Sequence, residues 1–281
     1  MEIVLGKTAG FCYGVKRAVE GVKEELEKEE NVYCLGEIVH NKSVIRDLEA
    51  KGVTFINDVS QSKGKTIIRA HGVTKKVYEE LSKNKIEFKD FTCPNVVKIH
   101  KIAEEYRKKD YFIILVGVNN HPESIGTISF CGENSAILQD FEQIDNLLVK
   151  IENKNNILVI AQTTYNSAKF DEIIDILKEK LVNKNIEVLK TICQATKIRQ
   201  DETRKIAKKV DIMLIIGDKN SSNTNKLYDI SSTNCERVYF IQTVDEIKHI
   251  NFDGIKKVGV MAGASTPNED IQAVVNELRR M

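Results

Sequence analysis

Apolar residues along the chain follow two alternating patterns. Segments with apolar residues three or four positions apart, typical of amphipathic helices, include residues 15–26, 96–106 and 195–210. Each is followed by a short apolar run of the kind that forms a buried strand: Val32–Leu35, Phe112–Val116 and Ile212–Ile216. Short strands that alternate with helices predict an α/β fold with mainly parallel sheets.

The alternation belongs to an internal repeat. When Cys12, Cys93 and Cys193 are aligned, glycines follow 24 residues later, at Gly36, Gly117 and Gly217, and polar residues four positions beyond these, at His40, His121 and Ser221. The same order of features occurs three times: a strand, a cysteine, a helix, a second strand, a glycine and a polar loop. We therefore predict three similar α/β units, residues 13–93, 94–193, and 194–281 with 1–12, in a pseudo-threefold trefoil around a central site.

Polar residues also follow the last strand of each unit. Residues 66–70 lead to His71, residues 157–161 to Gln162 and Thr163, and residues 257–262 to a loop that contains Ser265. In parallel sheets the functional crevice lies beyond the carboxyl ends of the strands. These loops and the three aligned cysteines are therefore expected at that edge.

Overall charge and hydropathy exclude several classes of protein. The 281 residues contain 42 Lys+Arg and 41 Asp+Glu, and this balance argues against nucleic-acid binding. The longest apolar run, residues 111–118, is far shorter than the roughly 20 residues of a membrane span. No leader sequence is evident, so we expect a cytoplasmic protein, and nothing requires more than a monomer. The Lys/Glu-rich residues 20–30 are interpreted as the solvated face of a helix.

The six cysteines divide into two classes. Disulfides are improbable in the cytoplasm, and no C-x-x-C motif is present. Three thiols from equivalent strand-to-helix junctions, without a fourth protein ligand, favour an iron–sulfur cluster with one open iron. Cys34, Cys131 and Cys235 share no position in the repeat and are interpreted as ordinary residues.

Prolines and neutral hydrogen-bond donors suggest that the same edge binds an anion. Cys93, His121 and Thr266 each precede a proline, which is typical of helix N-termini that attract phosphate groups. The candidate donors are His40, His71, His121, Ser221, Ser222, Asn223 and Ser265. Glu123 either complements the dipole of its helix or donates protons to a substrate.

Nine motifs, in this order, resemble the 4-hydroxy-3-methylbut-2-enyl diphosphate reductase family. They are AGFCYGV (9–15), VHN (39–41), RAHGV (69–73), DFTCP (90–94), HPE (121–123), QTT (162–164), ICQAT (192–196), NSSNT (220–224) and AGASTP (262–267). The resemblance spans residues 10–267 and implies a trefoil of three α/β domains around one oxygen-sensitive 4Fe-4S cluster, with Cys12, Cys93 and Cys193 as its ligands.

The resemblance also implies a reaction and roles for individual residues. The diphosphate would be held by His40, His71, His121, Ser221, Ser222, Asn223 and Ser265, with Thr163 also at the substrate. Glu123 would deliver protons through a network that includes Thr163, and these two residues with His121 would form the catalytic set. Two electrons, arriving singly from ferredoxin or flavodoxin, and two protons would remove the hydroxyl as water, giving isopentenyl or dimethylallyl diphosphate.

Two alternatives to this enzyme remain at the level of sequence. One is a non-catalytic, metal- or cluster-bearing diphosphate-binding protein in which the three cysteines and a histidine form a closed site. Glu123 beside His121 argues against it, because a closed structural site does not need that carboxylate. The other is a scaffold whose cysteines are core residues, and this alternative predicts a colourless protein after anaerobic purification.

Overall fold

The computed structural model of the chain describes residues 1–281 and contains twelve strands and ten α-helices. The strands are β1 Glu2–Leu5, β2 Val32–Leu35, β3 Val53–Ile56, β4 Lys65–Ile68, β5 Phe88–Asp90, β6 Phe112–Val116, β7 Ser135–Leu138, β8 Asn156–Ala161, β9 Asn185–Val188, β10 Ile212–Ile216, β11 Val238–Ile241 and β12 Lys257–Ala262. The helices are α1 Tyr13–Leu26, α2 Lys42–Ala50, α3 Lys75–Lys83, α4 Pro94–Lys108, α5 Pro122–Cys131, α6 Ile144–Lys150, α7 Ser167–Lys180, α8 Gln194–Ala207, α9 Ser222–Ser232 and α10 Asn268–Arg280. Short 3₁₀ helices span Val59–Gln61, Phe141–Gln143 and Val244–His249.

The strands form three four-stranded sheets with the same topology. Their strand orders are β3-β2-β4-β5, β7-β6-β8-β9 and β11-β10-β12-β1, and every pairing is parallel. In each sheet the first strand of the repeat lies between its second and third strands. In the last sheet the fourth strand, beside β12, is β1 from the start of the chain. The predicted fold class, three similar α/β units with parallel sheets, is confirmed.

Helices cover both faces of these sheets, which explains the continuous apolar runs of the central strands. In β6, Phe112, Ile114 and Val116 pack in one core with residues of α6 and α7, whereas Ile113 and Leu115 pack in another with residues of α4 and α5. All five side chains are at most 5% exposed. A strand that is buried on both sides loses the alternation of polar and apolar positions, as parallel sheets generally do.

A glycine follows the first strand of each of the three repeats, and at two of these positions the backbone requires glycine. Gly36 has a φ of 71°, a backbone conformation that residues with a side chain rarely adopt, and a Cβ atom there would also displace the guanidinium of Arg69. Gly217 has a φ of 152°, and a Cβ there would lie 2.7 Å from Oγ1 of Thr224. Glycine at these two positions lets the backbone turn directly from the strand into the polar loop.

The chain divides into two compact units. Unit 1 comprises Met1–Lys16, Val39–Leu48 and Gln194–Met281 and contains the sheet of β1, β10, β11 and β12. Unit 2 comprises Arg17–Ile38 and Glu49–Cys193 and contains the other two sheets. The division into three units that the sequence repeat suggests, residues 13–93, 94–193, and 194–281 with 1–12, stays a prediction. None of the helices combines the length and apolar character that a bilayer crossing requires.

Two details differ from the expectations. The interpretation of residues 20–30 as a solvated helix face is wrong in part, because α1 ends at Leu26 and Glu25 is only 6% exposed. Glu25 follows Val22 by three positions and therefore shares the buried side of the helix. Pro267 is the N-cap of α10, whereas Pro94 and Pro122 are the first helical residues of α4 and α5.

Candidate functional site

The three cysteines aligned by the repeat occupy the same local position in the fold. Cys12, Cys93 and Cys193 directly precede the first residues of α1, α4 and α8, and each is partly buried. Each amide donates a hydrogen bond to a carbonyl just beyond the third strand of a sheet: Cys12 to Ala264 (3.1 Å), Cys93 to Ala70 (2.9 Å) and Cys193 to Thr163 (3.0 Å). A helix N-terminus stabilises a thiolate, the form of cysteine that binds metals.

Cys34 and Cys131 lie in surroundings of the opposite kind. Both side chains are fully buried, and burial raises the pKa of each thiol to about 12. The Sγ atom of Cys34 is within 3.2 Å of the carbonyl of Gly36, and that of Cys131 is within 3.4 Å of the carbonyl of Thr127. Thiols held protonated in this way are small core residues and poor metal ligands.

Glu123 and Thr163 form a buried carboxyl–hydroxyl pair in unit 2. Glu123 lies in the first turn of α5 and is 2% exposed, and Thr163 follows β8. The amide of Thr163 donates to Oε1 of Glu123 at 2.6 Å, and its hydroxyl is 2.7 Å from Oε2. Burial raises the pKa of Glu123 to about 7, against the two bonds from Thr163, which lower it. A carboxyl group with this pKa can give and regain a proton near neutral pH.

Two of the predicted histidines lie close together in the same unit. His121 is the N-cap of α5, and its Nδ1 accepts a hydrogen bond from the amide of Glu123 at 3.1 Å. Nε2 therefore carries the proton in the neutral ring. The rings of His71 and His121 meet edge to face with centroids 5.3 Å apart. The loops after β4 and β6 thus bring two imidazoles together at the start of α5, the helix that carries Glu123.

The remaining predicted donors lie in unit 1: His40 in the loop before α2, Ser221, Ser222 and Asn223 at the start of α9, and Ser265 in the loop after β12. The hydroxyl of Ser265 donates to the carbonyl of His40 at 2.9 Å and is 3.5 Å from the hydroxyl of Ser221. Ser221 is the N-cap of α9, which begins at Ser222. Asn223 accepts from the amide of Ala264 at 2.9 Å, while its buried Nδ2 has no hydrogen-bond partner. A buried donor without a partner next to a helix N-terminus fits an anionic ligand.

Sequence reasoning assigned no role to two residues that hold these loops in place. Gln162 is 1% exposed, and its Oε1 accepts from the amide of Val118 at 3.0 Å, which ties the loop after β8 to the loop after β6. In α8, Arg199 donates to the carbonyls of Thr8 and Gly10, both at 2.7 Å, ahead of Cys12. Gln162 stands in a motif that carried the resemblance, but Arg199 has no local sequence signal, because its partners lie about 190 positions away.

Fold and site together define an α/β protein with three partly buried thiols at helix starts, neutral hydrogen-bond donors and a buried carboxylic acid, all in loops that follow parallel strands. The model of the LytB protein family matches residues 3–279. The chain belongs to the LytB protein family.

The proteins that this chain resembles are named as the same enzyme. A relative from Caldanaerobacter subterraneus subsp. tengcongensis is 41% identical over 287 aligned positions, covering 100% of this chain and 98% of the relative. Another, from Clostridioides difficile, is 39% identical and covers 100% of both chains. Both are named 4-hydroxy-3-methylbut-2-enyl diphosphate reductase. The solved E-1-hydroxy-2-methyl-but-2-enyl-4-diphosphate reductase from Plasmodium falciparum superposes with a TM-score of 0.92 at 32% identity, covering 99% of this chain and 87% of that chain.

Proposed function

We propose that the chain is an iron–sulfur reductase that removes the hydroxyl group of 4-hydroxy-3-methylbut-2-enyl diphosphate, giving isopentenyl and dimethylallyl diphosphate. The observation that carries the proposal is the buried pair of Glu123 and Thr163, because Thr163 also accepts the amide of Cys193. A proton source is thereby attached to the backbone of a candidate metal ligand. The names of relatives about 40% identical over the whole chain support the same substrate.

Cys12, Cys93 and Cys193 are the residues that would hold the cluster. Soft thiolates suit iron–sulfur centres, and three of them leave one iron of a 4Fe-4S cluster without a protein ligand. When bound, the cluster would supply single electrons and a Lewis acid that polarises the C–O bond of the substrate. The position of each cysteine before a helix and the contrast with the buried Cys34 and Cys131 support this choice of ligands.

The diphosphate would be bound by the predicted neutral donors rather than by a cluster of cations. These are His40, His71, His121, Ser221, Ser222, Asn223 and Ser265, with Thr163 also at the substrate. Ser221 caps α9 and His121 caps α5, so each stands at the positive end of a helix. The Nδ2 atom of Asn223 supports the proposal most directly, because it is a buried N–H donor that has no acceptor within the protein.

Proton delivery is the task of the Glu123 side chain. The reaction breaks the C–O bond, releases the hydroxyl as water and places a hydrogen on carbon, and it consumes two electrons and two protons. Glu123, with a pKa near 7, exchanges its proton with the hydroxyl of Thr163 across 2.7 Å. His121 fixes the start of the helix that carries Glu123, since it accepts the amide of that residue. The electrons come singly from a ferredoxin or flavodoxin, and the chain works as a monomer.

Anaerobic reconstitution followed by turnover tests the proposal. The holoprotein is mixed with 4-hydroxy-3-methylbut-2-enyl diphosphate and reduced methyl viologen, and the products are identified by mass spectrometry. Both five-carbon diphosphates should form, and Glu123→Gln should bind substrate but lose about 100-fold or more in kcat. Glu172→Gln, which changes an exposed carboxylate of α7, is the matched control and should keep full activity. Substrate binding without any product would favour the non-catalytic diphosphate-binding protein.

A further inference from the structure

The edge strand of the sheet in unit 2 ends before the segment that carries Cys193. This strand, β9, spans Asn185–Val188, and its last residue pairs with Val159 of β8. The amide of Leu189 still donates to the carbonyl of Val159 at 2.9 Å. Ala161, two residues further along β8, directs its amide and carbonyl to the same side of the strand. Ala161 is fully buried, so both groups need partners that β9 no longer supplies.

The hydroxyl group of Thr191 is the partner of both groups. Its Oγ1 accepts the amide of Ala161 at 2.7 Å and donates to the carbonyl of the same residue. Two residues further along each segment the main-chain contact resumes, because the amide of Cys193 donates to the carbonyl of Thr163 at 3.0 Å. One side chain therefore bridges the gap between the last pairing of β9 and the contact that holds Cys193.

In the sheet of β2 to β5 the main chain fills the equivalent position. There the amide of Phe91 donates to the carbonyl of Ile68 at 3.0 Å, and the amide of Cys93 donates to the carbonyl of Ala70 at 2.9 Å. Phe91 and Thr191 each stand two residues before a cysteine of the repeat. The hydroxyl of Thr191 thus does in one repeat what a main-chain amide does in another. Because this contact belongs to a side chain, a single substitution can remove it.

We propose that Thr191 is a positioning residue for Thr163. Its hydroxyl keeps the end of β8 in register with the segment before α8. Thr163 then directs its amide and hydroxyl to Glu123 and its carbonyl to the amide of Cys193. The inference rests on the proposed function, in which Glu123 supplies protons and Cys193 binds the cluster. Thr191 acts on both through the main chain of residues 161–163.

Two substitutions separate the hydroxyl of Thr191 from its shape. Thr191→Val keeps the branched side chain without the hydroxyl, and Thr191→Ser keeps the hydroxyl. With the substrate and reduced methyl viologen, kcat of the reconstituted Thr191→Val enzyme should fall about 10-fold while KM changes less than about 3-fold, because a small displacement of the proton path slows the reaction. Thr191→Ser should restore most of kcat.

Thr66→Val is the matched control in the same unit. Thr66 is fully buried near the amino end of β4, and its hydroxyl lies 2.7 Å from that of Ser62. Its loss removes a buried hydroxyl away from the carboxyl ends of the strands, so kcat should stay within about 2-fold of the wild type. A loss of kcat in Thr66→Val as large as that in Thr191→Val would overturn the proposal.

A double-mutant cycle tests whether Thr191 acts through Thr163. In a protein that already carries Thr163→Val, adding Thr191→Val should cost less than about 3-fold in kcat, because the hydroxyl that Thr191 positions is absent. Losses that simply multiply would show that the two residues act independently and would overturn the proposal.

Amide hydrogen exchange gives a readout that does not depend on the reaction. In Thr191→Val the amides of Ala161 and Cys193 should exchange about 10-fold or more faster, with that of Ile114 in β6 unchanged, and Thr191→Ser should restore the protection. If exchange changes in this way but the wild type forms no product, the proposed function fails and the positioning role of Thr191 stands. Rapid exchange of the Ala161 amide in the wild type, or an active Thr191→Val with normal exchange, would overturn the proposal.

Discussion

The carbonyl oxygen of Thr163 accepts the amide of Cys193 at 3.0 Å, while the amide and hydroxyl of the same threonine contact the carboxyl group of Glu123. One residue therefore joins a candidate metal ligand to a candidate proton donor. The backbone contacts do not depend on the side chain of residue 163, whereas the contact with Oε2 does. This separation allows the proton path to be changed without changing the position of the cysteine.

Removal of the Thr163 hydroxyl should impair proton delivery and leave the cluster in place. Thr163→Val keeps the size and β-branching of the side chain but deletes the 2.7 Å contact with Glu123. We expect kcat to fall by about 10- to 100-fold, because a positioned proton-transfer partner is lost. Iron content after reconstitution should match the wild type, and Thr163→Ser should restore most of the activity. A fully active Thr163→Val protein would contradict the proton path.

The raised pKa of Glu123 predicts how stability changes with pH. Between about pH 4.5 and pH 7 the unfolded chain has lost this proton while the folded chain keeps it, so folding stability falls as pH rises. Glu123→Gln removes the cost of burying the charged form. The variant should therefore gain about 2 to 3 kcal/mol relative to the wild type between pH 5 and pH 8 in urea unfolding of the apoprotein. A constant difference across this range would show that the carboxyl titrates normally.

His100 predicts a pH dependence of the opposite sign. It lies in α4, 6% exposed, stacked on Phe130 with ring centroids 4.2 Å apart, and its Nε2 has no hydrogen-bond partner. Burial lowers the pKa of the ring to about 4, against the negative charges of Asp90 and Glu104, which raise it. Below about pH 6.5 only the unfolded chain takes up this proton, so stability falls as pH decreases.

His100→Phe should remove that acid sensitivity. Between pH 7.5 and pH 5 the wild-type apoprotein should lose about 2 kcal/mol more than the variant, measured by urea unfolding at both pH values. Phenylalanine keeps a flat ring against Phe130 and has no group to protonate. If both proteins lose the same stability over this range, the ring is not held neutral by burial.

Arg199 should control the loop that presents Cys12. Arg199 is 4% exposed and its guanidinium donates to the carbonyls of Thr8 and Gly10, so Arg199→Leu leaves two carbonyls without their donors. We expect a loss of about 2 to 4 kcal/mol in stability and a lower iron content after reconstitution. Lys197→Ala, an exposed change on the same helix, should stay within about 0.5 kcal/mol of the wild type. Normal iron content in Arg199→Leu would mean that the loop holds its shape without the arginine.

Local sequence pattern predicted the parts of the fold that depend on local physics. The strands β2, β6, β10 and β12 have the expected bounds, because a buried parallel strand is a continuous apolar run between polar residues. Pro94 and Pro122 marked helix starts because proline suits the first helical position.

Contacts between distant segments could not be predicted in this way. The strand expected at residues 66–70 leaves the sheet after Ile68, where β5, its partner in the ladder, ends. The bonds of Arg199 to the loop before Cys12 and of Gln162 to the loop after β6 join segments far apart in the chain. Polar side chains that serve such contacts look like ordinary helix or loop residues until the fold brings their partners close.

Iron bound per chain after anaerobic reconstitution tests the central claim, a cluster held by three thiols at helix starts, most directly. The wild type and Cys34→Ser should become brown and bind the same amount of iron. Cys12→Ser, Cys93→Ser and Cys193→Ser should each bind much less, since a hard hydroxyl replaces a soft thiolate. A colourless wild type, or a Cys193→Ser protein with as much iron as Cys34→Ser, would contradict the account.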